Sequence, residues 1–480
     1  MKDVPSSVTE SFRRSYHGDV ADATIRKWRN KIVSQLPELF ELSSVLEKPL
    51  PEDQKIPIPD LDMLVTGSGP DDCTKDDARL LFRGGGGFSR LIPLYYTIVS
   101  STPEANTEAG YHHFWDSNIR DLLLILLPQG RTSRNSSHGT QTAAFRPDFV
   151  FLYQNICPFR GEEKPPLSLD NPKVELSDKL FELWPYPEAP YVLGYHAKGP
   201  ILTLAAIGPT ESGQTVVTDL ATYNLRRRKD RIKHMVALIN MAPLLRHLAD
   251  LVPAVDAEFT EIERSTCVVE ILGPVVLKTF TGSLDIRQTR MDHLDKIYII
   301  LGQKSVPHTD KLLHFIPDEH KVILHPRGDA RGPKTEDELL DAVICVLEML
   351  EVLHKPPTFI HRDLRWPNIM RSLKDRRDWF VIDWTENKRN FDPRTHCPRL
   401  YLENHGTEVD LWSVGELVLT SKVYLISSWL TRFGCSLKET PVTAAEALRE
   451  IQNLRDRHRL QNSGEVVQAP RSPQLGRSFW

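Results

Sequence analysis

The stretch "FIHRDLRWPNIMRS", residues 359–372, places an aspartate, Asp363, a few positions ahead of an asparagine, Asn368. On one loop, that pair offers a proton acceptor next to an oxygen ligand for a hard cation. Just downstream, "WFVIDWTEN" (379–387) reads as an apolar strand that ends on Asp383. Upstream, "PVVLKTF" (274–280) is a short β-rich run carrying Lys278. Moving a phosphoryl group onto a hydroxyl requires these parts: a base at the acceptor, two side chains on Mg2+ and a lysine on the nucleotide phosphates.

His361-Arg362-Asp363-Leu364 with Asn368 resembles the H-R-D-L-x-x-x-N catalytic loop of protein kinases. The resemblance implies that Asp363 is the catalytic base and that Asn368 and Asp383 are the Mg2+ ligands. It also implies that Lys278 holds the phosphates of ATP. "TEVDLWSVGELV" (407–418) is similar to the D-x-W-S-x-G helix, with Asp410 bracing the catalytic loop. "TPVTAAEAL" (440–448) resembles a stretch near the end of that fold, without its arginine. Four matches in the correct order point to one kinase-like fold. The departures bear on activity. Residues 263–274 contain one glycine where a glycine-rich loop belongs. No glutamate lies between Lys278 and Glu319, which leaves Asp292 or Asp295 as substitutes. Arg365 stands in place of a lysine, and Asp383-Trp384-Thr385 in place of D-F-G. Two readings stand: a divergent, metal-competent serine/threonine-type kinase, or a pseudokinase that senses nucleotide or acts as a scaffold.

A second constellation lies upstream. Pro147-Asp148 precedes the apolar run 149–153, and Glu162-Glu163-Lys164 closes a run that begins at 156. Two antiparallel strands joined by a short turn bring Asp148 and Glu162 together. Residues two apart on a strand share a face, so Glu162 and Lys164 point one way and Glu163 the other. Paired carboxylates hold Mg2+ for phosphodiester hydrolysis, and a lysine offsets the charge that builds on the phosphate. This resembles the PD-(D/E)xK restriction-endonuclease-like core, with Asp148, Glu162 and Lys164 as its catalytic residues and the two acids as metal ligands. A further acid is expected from the helical stretch 108–127, where Glu108, Asp116 and Asp121 are candidates. The basic cluster Arg226, Arg227, Arg228, Lys229, Arg231 and Lys233 is either a DNA-contacting helix end or a solvated helix face. The alternative for Asp148, Glu162 and Lys164 is a surface strand carrying ordinary charges.

The chain has 480 residues, 40% of them hydrophobic and 26% charged, so it can bury sizeable cores. Its net charge of -4 means that any contact with DNA must be local. The six cysteines are scattered, without C-x-x-C spacing, which argues for a reducing, intracellular setting. Neither a secretory h-region nor a long apolar run is visible, so no membrane contact is expected. Residues 20–46 read as one amphipathic helix and the Pro-rich 47–60 as a linker. Gly84–Gly87 lack the G-K-[ST] ending of a phosphate loop and read as a turn. The expected fold class is multidomain α/β and α+β: a PD-(D/E)xK nuclease-like core followed by a bilobal protein-kinase-like fold. The expected segments are a helical region and linker (1–75), the nuclease-like domain (80–250), the kinase-like domain (255–460) and a polar tail (461–480).

"RPDFVF…FRGEEK" followed by "IHRDLRWPN…WFVIDW" together resembles the Crinkler (CRN-like) effectors, over roughly 80–460. The most specific piece is "HRDLRWPNIM". The resemblance implies an effector that is secreted or translocated into a host nucleus. Such a protein would use Mg2+ and ATP, cut DNA or phosphorylate an unknown protein. No L-F-L-A-K motif is seen near residue 1, so the route of export stays open.

Overall fold

The computed structural model describes residues 22–67, 69, 71–85, 91–134, 146–154, 156–179, 184, 186, 189–251, 258–259, 261–384 and 396–462, with side chains to Arg457. Gly86, Gly87, Thr385 and the tail beyond Asn462 lie outside the described residues. The chain divides into two compact units. One comprises Met1–Thr281 with Lys321–Arg327, the other Gly282–His320 with Gly328–Trp480. The strands and helices together make a mixed α/β, multidomain protein. All six cysteines are free. Among the described residues no helix is long and apolar enough to cross a membrane.

The first unit opens with α1 (22–30) and α2 (Leu42–Leu46), so the single helix expected over 20–46 is broken. Pro37 disfavours helical geometry in the residue before it. Glu38 and Glu41 then cap a new helical turn reciprocally, with Glu38 N–H donating to Glu41 Oε2 at 3.0 Å. The stretch 47–60 is no linker either. It forms β1 (Ile56–Ile58), whose isoleucines are buried in the main core. After α3 (Asp62–Val65) and α4 (Lys75–Arg79), β2 (Phe82–Gly84) pairs with β1 in parallel.

Next come α5 (Ile92–Val99), α6 (Glu108–Asn118) and α7 (Arg120–Leu126). They lead into β3 (Arg131–Arg134), β4 (Phe149–Tyr153) and β5 (Ile156–Lys164). After α8 (Pro172–Asp178) follow β6 (Val192–Lys198), β7 (Ile201–Pro209), β8 (Thr215–Asn224) and the 24-residue α9 (Arg228–Leu251). One sheet runs in the order β3-β4-β5-β6-β7-β8, antiparallel except for the parallel pair β5–β6. Phe159, Leu193, Tyr195 and Leu204 belong to the large core that also contains α9. Val192, Ala205 and Ile207 face the other way and pack with Leu176 of α8. A sheet covered on both faces has no wet side, which explains why β5 is buried from Ile156 to Glu163 instead of alternating.

A smaller sheet completes this unit: β9 (Glu261–Glu263), β10 (Cys267–Leu272), β11 (Val275–Phe280) and β13 (Lys321–His325), all antiparallel. Gly273, at φ 56°, makes the tight turn between β10 and β11. Two ion pairs fasten this sheet to the larger one. Arg146 reaches Glu270 of β10 at 2.7 Å. Glu258, bridged to Ile271 of β10, receives Arg160 of β5 at 3.1 Å and Arg327 at 2.5 Å.

The second unit holds α10 (Leu284–Gln303), β12 (Lys311–Ile316), β14 (Gly328–Asp329), α11 (Glu336–Leu353), β15 (Ile369–Ser372) and β16 (Trp379–Val381). It continues with α12 (Glu408–Leu419), α13 (Ser428–Glu439) and α14 (Ala444–Asn462). Helices α12 and α13 cross closely because Gly415 has no side chain. A Cβ there would stand 2.5 Å from the Gly434 carbonyl oxygen. In "TPVTAAEAL", Thr443 and Glu446 cap α14 with reciprocal bonds of 2.8 and 3.2 Å.

Candidate functional site

The parallel neighbour β6 and the helix α8 build the first cluster around β5. Glu162 is fully buried and Asp148 nearly so. Asp148, just ahead of β4, accepts the backbone N–H of Glu163 at 2.9 Å through Oδ2, which draws it onto β5. Burial first, and then the neighbouring Asp148 carboxylate, push the Glu162 carboxyl well above its usual range. Lys179, at the end of α8, answers both acids. Its Nζ donates to Glu162 Oε2 at 2.7 Å and stands 3.9 Å from Asp148 Oδ1. Glu162 Oε1 is buried with no hydrogen-bond partner, which leaves that oxygen unsatisfied even though Lys179 binds the other one. Two acids and an orphaned carboxylate oxygen are the donors that Mg2+ takes. These residues therefore fit a hard divalent cation.

Lys164 shares the Glu162 face and pairs with Glu175 of α8 at 2.8 Å. Burial pulls its pKa down, but the Glu175 hydrogen bond and the charges of Asp148, Glu175 and Glu108 raise it overall. Asp148, Glu162 and Lys164 thus come together. Of the three acids left open in the helical stretch, Glu108 is the one whose charge acts at Lys164. Asp116 is bound instead by Arg134 at 2.6 Å and by Arg120. Asp121 pairs with Arg120 on the surface.

Glu163 turns to the opposite face, as period two requires. There it meets Arg134 and Tyr195 OH, each at 2.5 Å, and burial lifts its pKa to about 7. Gly161 lets Tyr195 reach it, since a Cβ at 161 would lie 2.1 Å from the tyrosine ring.

The basic cluster 226–233 divides between the interior and the surface. Arg231 is buried and donates to the carbonyls of Leu225, Thr97, Ile98 and Ser100. Arg228 binds the Leu64 carbonyl at 2.8 Å and pairs with Asp72. Arg226, Arg227 and Lys233 are exposed.

The second cluster belongs to the other unit. Asp410, fully buried on α12, accepts the N–H of His361 at 2.9 Å and of Arg362 at 2.8 Å. It also takes His354 Nε2 at 3.0 Å. Burial works against its charge, but the His354 hydrogen bond, the neighbouring His361 and the Arg362 N–H hold its pKa below the usual range. This clamp fixes the loop that presents Asp363. Asn368 donates from Nδ2 to the Asp363 carbonyl at 2.8 Å and to Asp363 Oδ2 at 2.9 Å, turning its amide oxygen away. Arg365 reaches the same carboxylate at 3.1 Å, and His396 reaches Oδ1 at 3.0 Å.

Asp383 is tied in through its neighbours. Ile382 N–H donates to the Asn368 carbonyl at 3.0 Å, and Ile382 O faces His361 Nε2 at 3.2 Å. The rings of His361 and Trp384 meet edge-on, with centroids 4.7 Å apart. Arg362 and Asp383 both have positive φ, 72° and 69°, a strained conformation that clusters at working sites. Asn368 and Asp383 are oxygen donors suited to Mg2+, and their loops are locked to each other. Trp366, the distinctive residue of "RWPN", donates Nε1 to the Leu417 carbonyl of α12 at 3.1 Å. Lys278 lies on β11 of the first unit, opposite Val269 and Val322.

Lys179, Glu175 and His396 were not foreseen. None stands in a motif; each is brought in by tertiary packing.

No protein-family model matches this sequence. The chain is 35% identical over 330 residues to Crinkler effector protein 8 of Phytophthora infestans, covering 66% of this chain and 54% of that protein. It thus spans about half the length of the curated relative it matches. This similarity supports a Crinkler-like family for the chain.

Proposed function

We propose that this chain is a Crinkler-type effector joining an ATP-using, kinase-like phosphotransferase to a Mg2+-dependent DNA endonuclease. The phosphotransferase rests on one observation: the buried Asp410 carboxylate clamps the backbone of His361 and Arg362. A clamp of that kind has a purpose when Asp363 must be held still against an acceptor hydroxyl. Asp363 would take the hydroxyl proton and Asn368 and Asp383 would hold metal, while Lys278 is assigned to the phosphates by the kinase resemblance alone. Bound Mg2+ would neutralise charge on the phosphates. His396 must give up its bond to Asp363 for an acceptor hydroxyl to enter.

The endonuclease rests on the convergence of Asp148 and Glu162 beside Lys164. Asp148 and Glu162 would hold the cation. Lys164, fixed by Glu175, orients water and stabilises charge on the scissile phosphate. The relative's name supports the effector role; secretion and action in a host nucleus belong to our proposal and rest on the resemblance to Crinkler effectors alone. The alternative is a pseudokinase scaffold with a decayed nuclease core.

Labelled ATP tests the first activity. Autophosphorylation or labelling of a generic protein acceptor is expected in the wild type and lost in Asp363→Asn. Nucleotide binding without any labelling would favour the pseudokinase. Plasmid nicking tests the second. It should need Mg2+, stop with EDTA and fall in Asp148→Ala and Lys164→Ala; nicking unchanged in both variants would remove the assignment.

A further inference from the structure

The second unit contains a cluster that neither proposed activity uses. His308 follows α10, Cys345 lies on α11 and Asp378 precedes β16. One ligand atom from each falls within 4.8 Å of the other two. These residues come from three separated segments, so the fold rather than local sequence assembles them.

The imidazole is set as a metal-ligating histidine is set. His308 Nε2 faces the Glu348 carboxylate at 2.9 Å, while Nδ1 faces Asp378 Oδ1 at 2.8 Å. Histidines that bind metal through one ring nitrogen usually donate the other N–H to a carboxylate, which fixes tautomer and orientation. Glu348 fills that outer role and leaves Nδ1 on the side of Cys345 and Asp378. The Cys345 side chain is buried against the Arg377 carbonyl, at 3.8 Å. Asp378 is partly open to solvent, its side chain 43% exposed.

We propose that His308, Cys345 and Asp378 bind one divalent transition-metal ion of the zinc class, with Glu348 orienting the imidazole. The donor set selects the metal. A thiolate with an imidazole suits zinc or cobalt, whereas Mg2+ and Ca2+ take oxygen alone. Ligand atoms on one zinc, at about 2.0–2.3 Å from it, stand roughly 3–4 Å apart; the three atoms here lie within 4.8 Å of one another, so shifts of about an ångström would seat the ion. Three protein ligands leave a fourth position on the solvent side for water. The ion would tie α11 to the segments on either side of it, independently of the Mg2+ chemistry at Asp363.

The test uses the full chain, stripped with a chelator and then titrated with Co2+. A single equivalent should give thiolate-to-cobalt charge-transfer absorption, which Zn2+ then displaces. Cys345→Ser should abolish the band with the other five cysteines in place. Glu348→Gln, on a partly exposed side chain, should weaken Zn2+ binding about 10- to 100-fold. Zn2+ should raise the Tm of the wild type and leave that of Cys345→Ser unchanged. If Cys345→Ser does not fold, His308→Gln takes its place in both measurements. No band in the wild type, or an undiminished band in the folded ligand variant, overturns the proposal. In that case His308 is only an imidazolium held between two carboxylates.

Discussion

Lys179 Nζ stands 2.7 Å from Glu162 Oε2 and 3.9 Å from Asp148 Oδ1, in the place where a cation is needed between two buried acids. The ammonium serves as the counter-charge of the metal-free cluster. Lys179→Met should therefore destabilise the metal-free protein by about 3–5 kcal/mol, the usual cost of stripping a buried charge of its partner. Mg2+ or Mn2+ should restore much of that, raising the Tm of the variant more than that of the wild type. Equal responses in the two proteins would show that the acids do not hold a cation.

Arg231 and its exposed neighbours should separate cleanly. Arg231→Met leaves several carbonyls without a donor and should cost about 3 kcal/mol or more, read as a lower denaturation midpoint. Replacing Arg226, Arg227 and Lys233 with alanine should leave stability nearly unchanged. If DNA passes there, the slope of log affinity against log salt should flatten by about 0.9 for each phosphate that the variant no longer neutralises. An unchanged slope would move the DNA path elsewhere.

Asp410→Asn should disable phosphotransfer without touching substrate. The amide puts an NH2 donor where one carboxylate oxygen accepted, so either the Arg362 N–H or the His361 and His354 pair loses its acceptor. Labelling should fall at least tenfold while nucleotide affinity changes little. A parallel loss of both would mean that the variant is misfolded, which circular dichroism would reveal.

His234 gives an acid limit to stability. It is fully buried on α9, both ring nitrogens lack hydrogen-bond partners, and burial lowers its pKa from 6.5 to about 3. Between those values the unfolded chain binds a proton that the folded chain refuses. This contribution to stability is complete above pH 6.5 and is lost progressively as pH falls toward 3. His234→Leu should flatten the decline by a few kcal/mol, about 1.4 for each pH unit covered. Urea unfolding at pH 7 and at pH 5 checks it; the same pH dependence in both proteins would rule out His234 as its source.

Spacing along strands and helices was legible because it is local. Period two put Glu162 and Lys164 on one face and Glu163 on the other, and "DLWSVGELV" placed Asp410 on a helix. The clamp of Asp410 on the backbone of His361 and Arg362 was expected from that order of motifs. Partners fixed by packing were not legible. Lys179 arrives on a helix with no motif, and nothing in "RRRKDRIK" distinguishes buried Arg231 from exposed Arg227. The proline-rich 47–60 misled because Pro57 sits in a short strand at the edge of a two-stranded pair, where a missing N–H is tolerated. Composition alone cannot tell such a strand from a connecting segment.

The pairing of Glu258 with Arg160 and Arg327 bears on how this protein can be dissected. A fragment cut after residue 250, where the motif boundaries invite it, would keep Arg160 inside β5 and discard its counter-charge. Arg160 sits two positions before Glu162, so the damage would fall on the strand that carries the proposed metal ligand. Loss of nicking in that fragment would report a broken strand and say nothing about whether the intact protein cuts DNA.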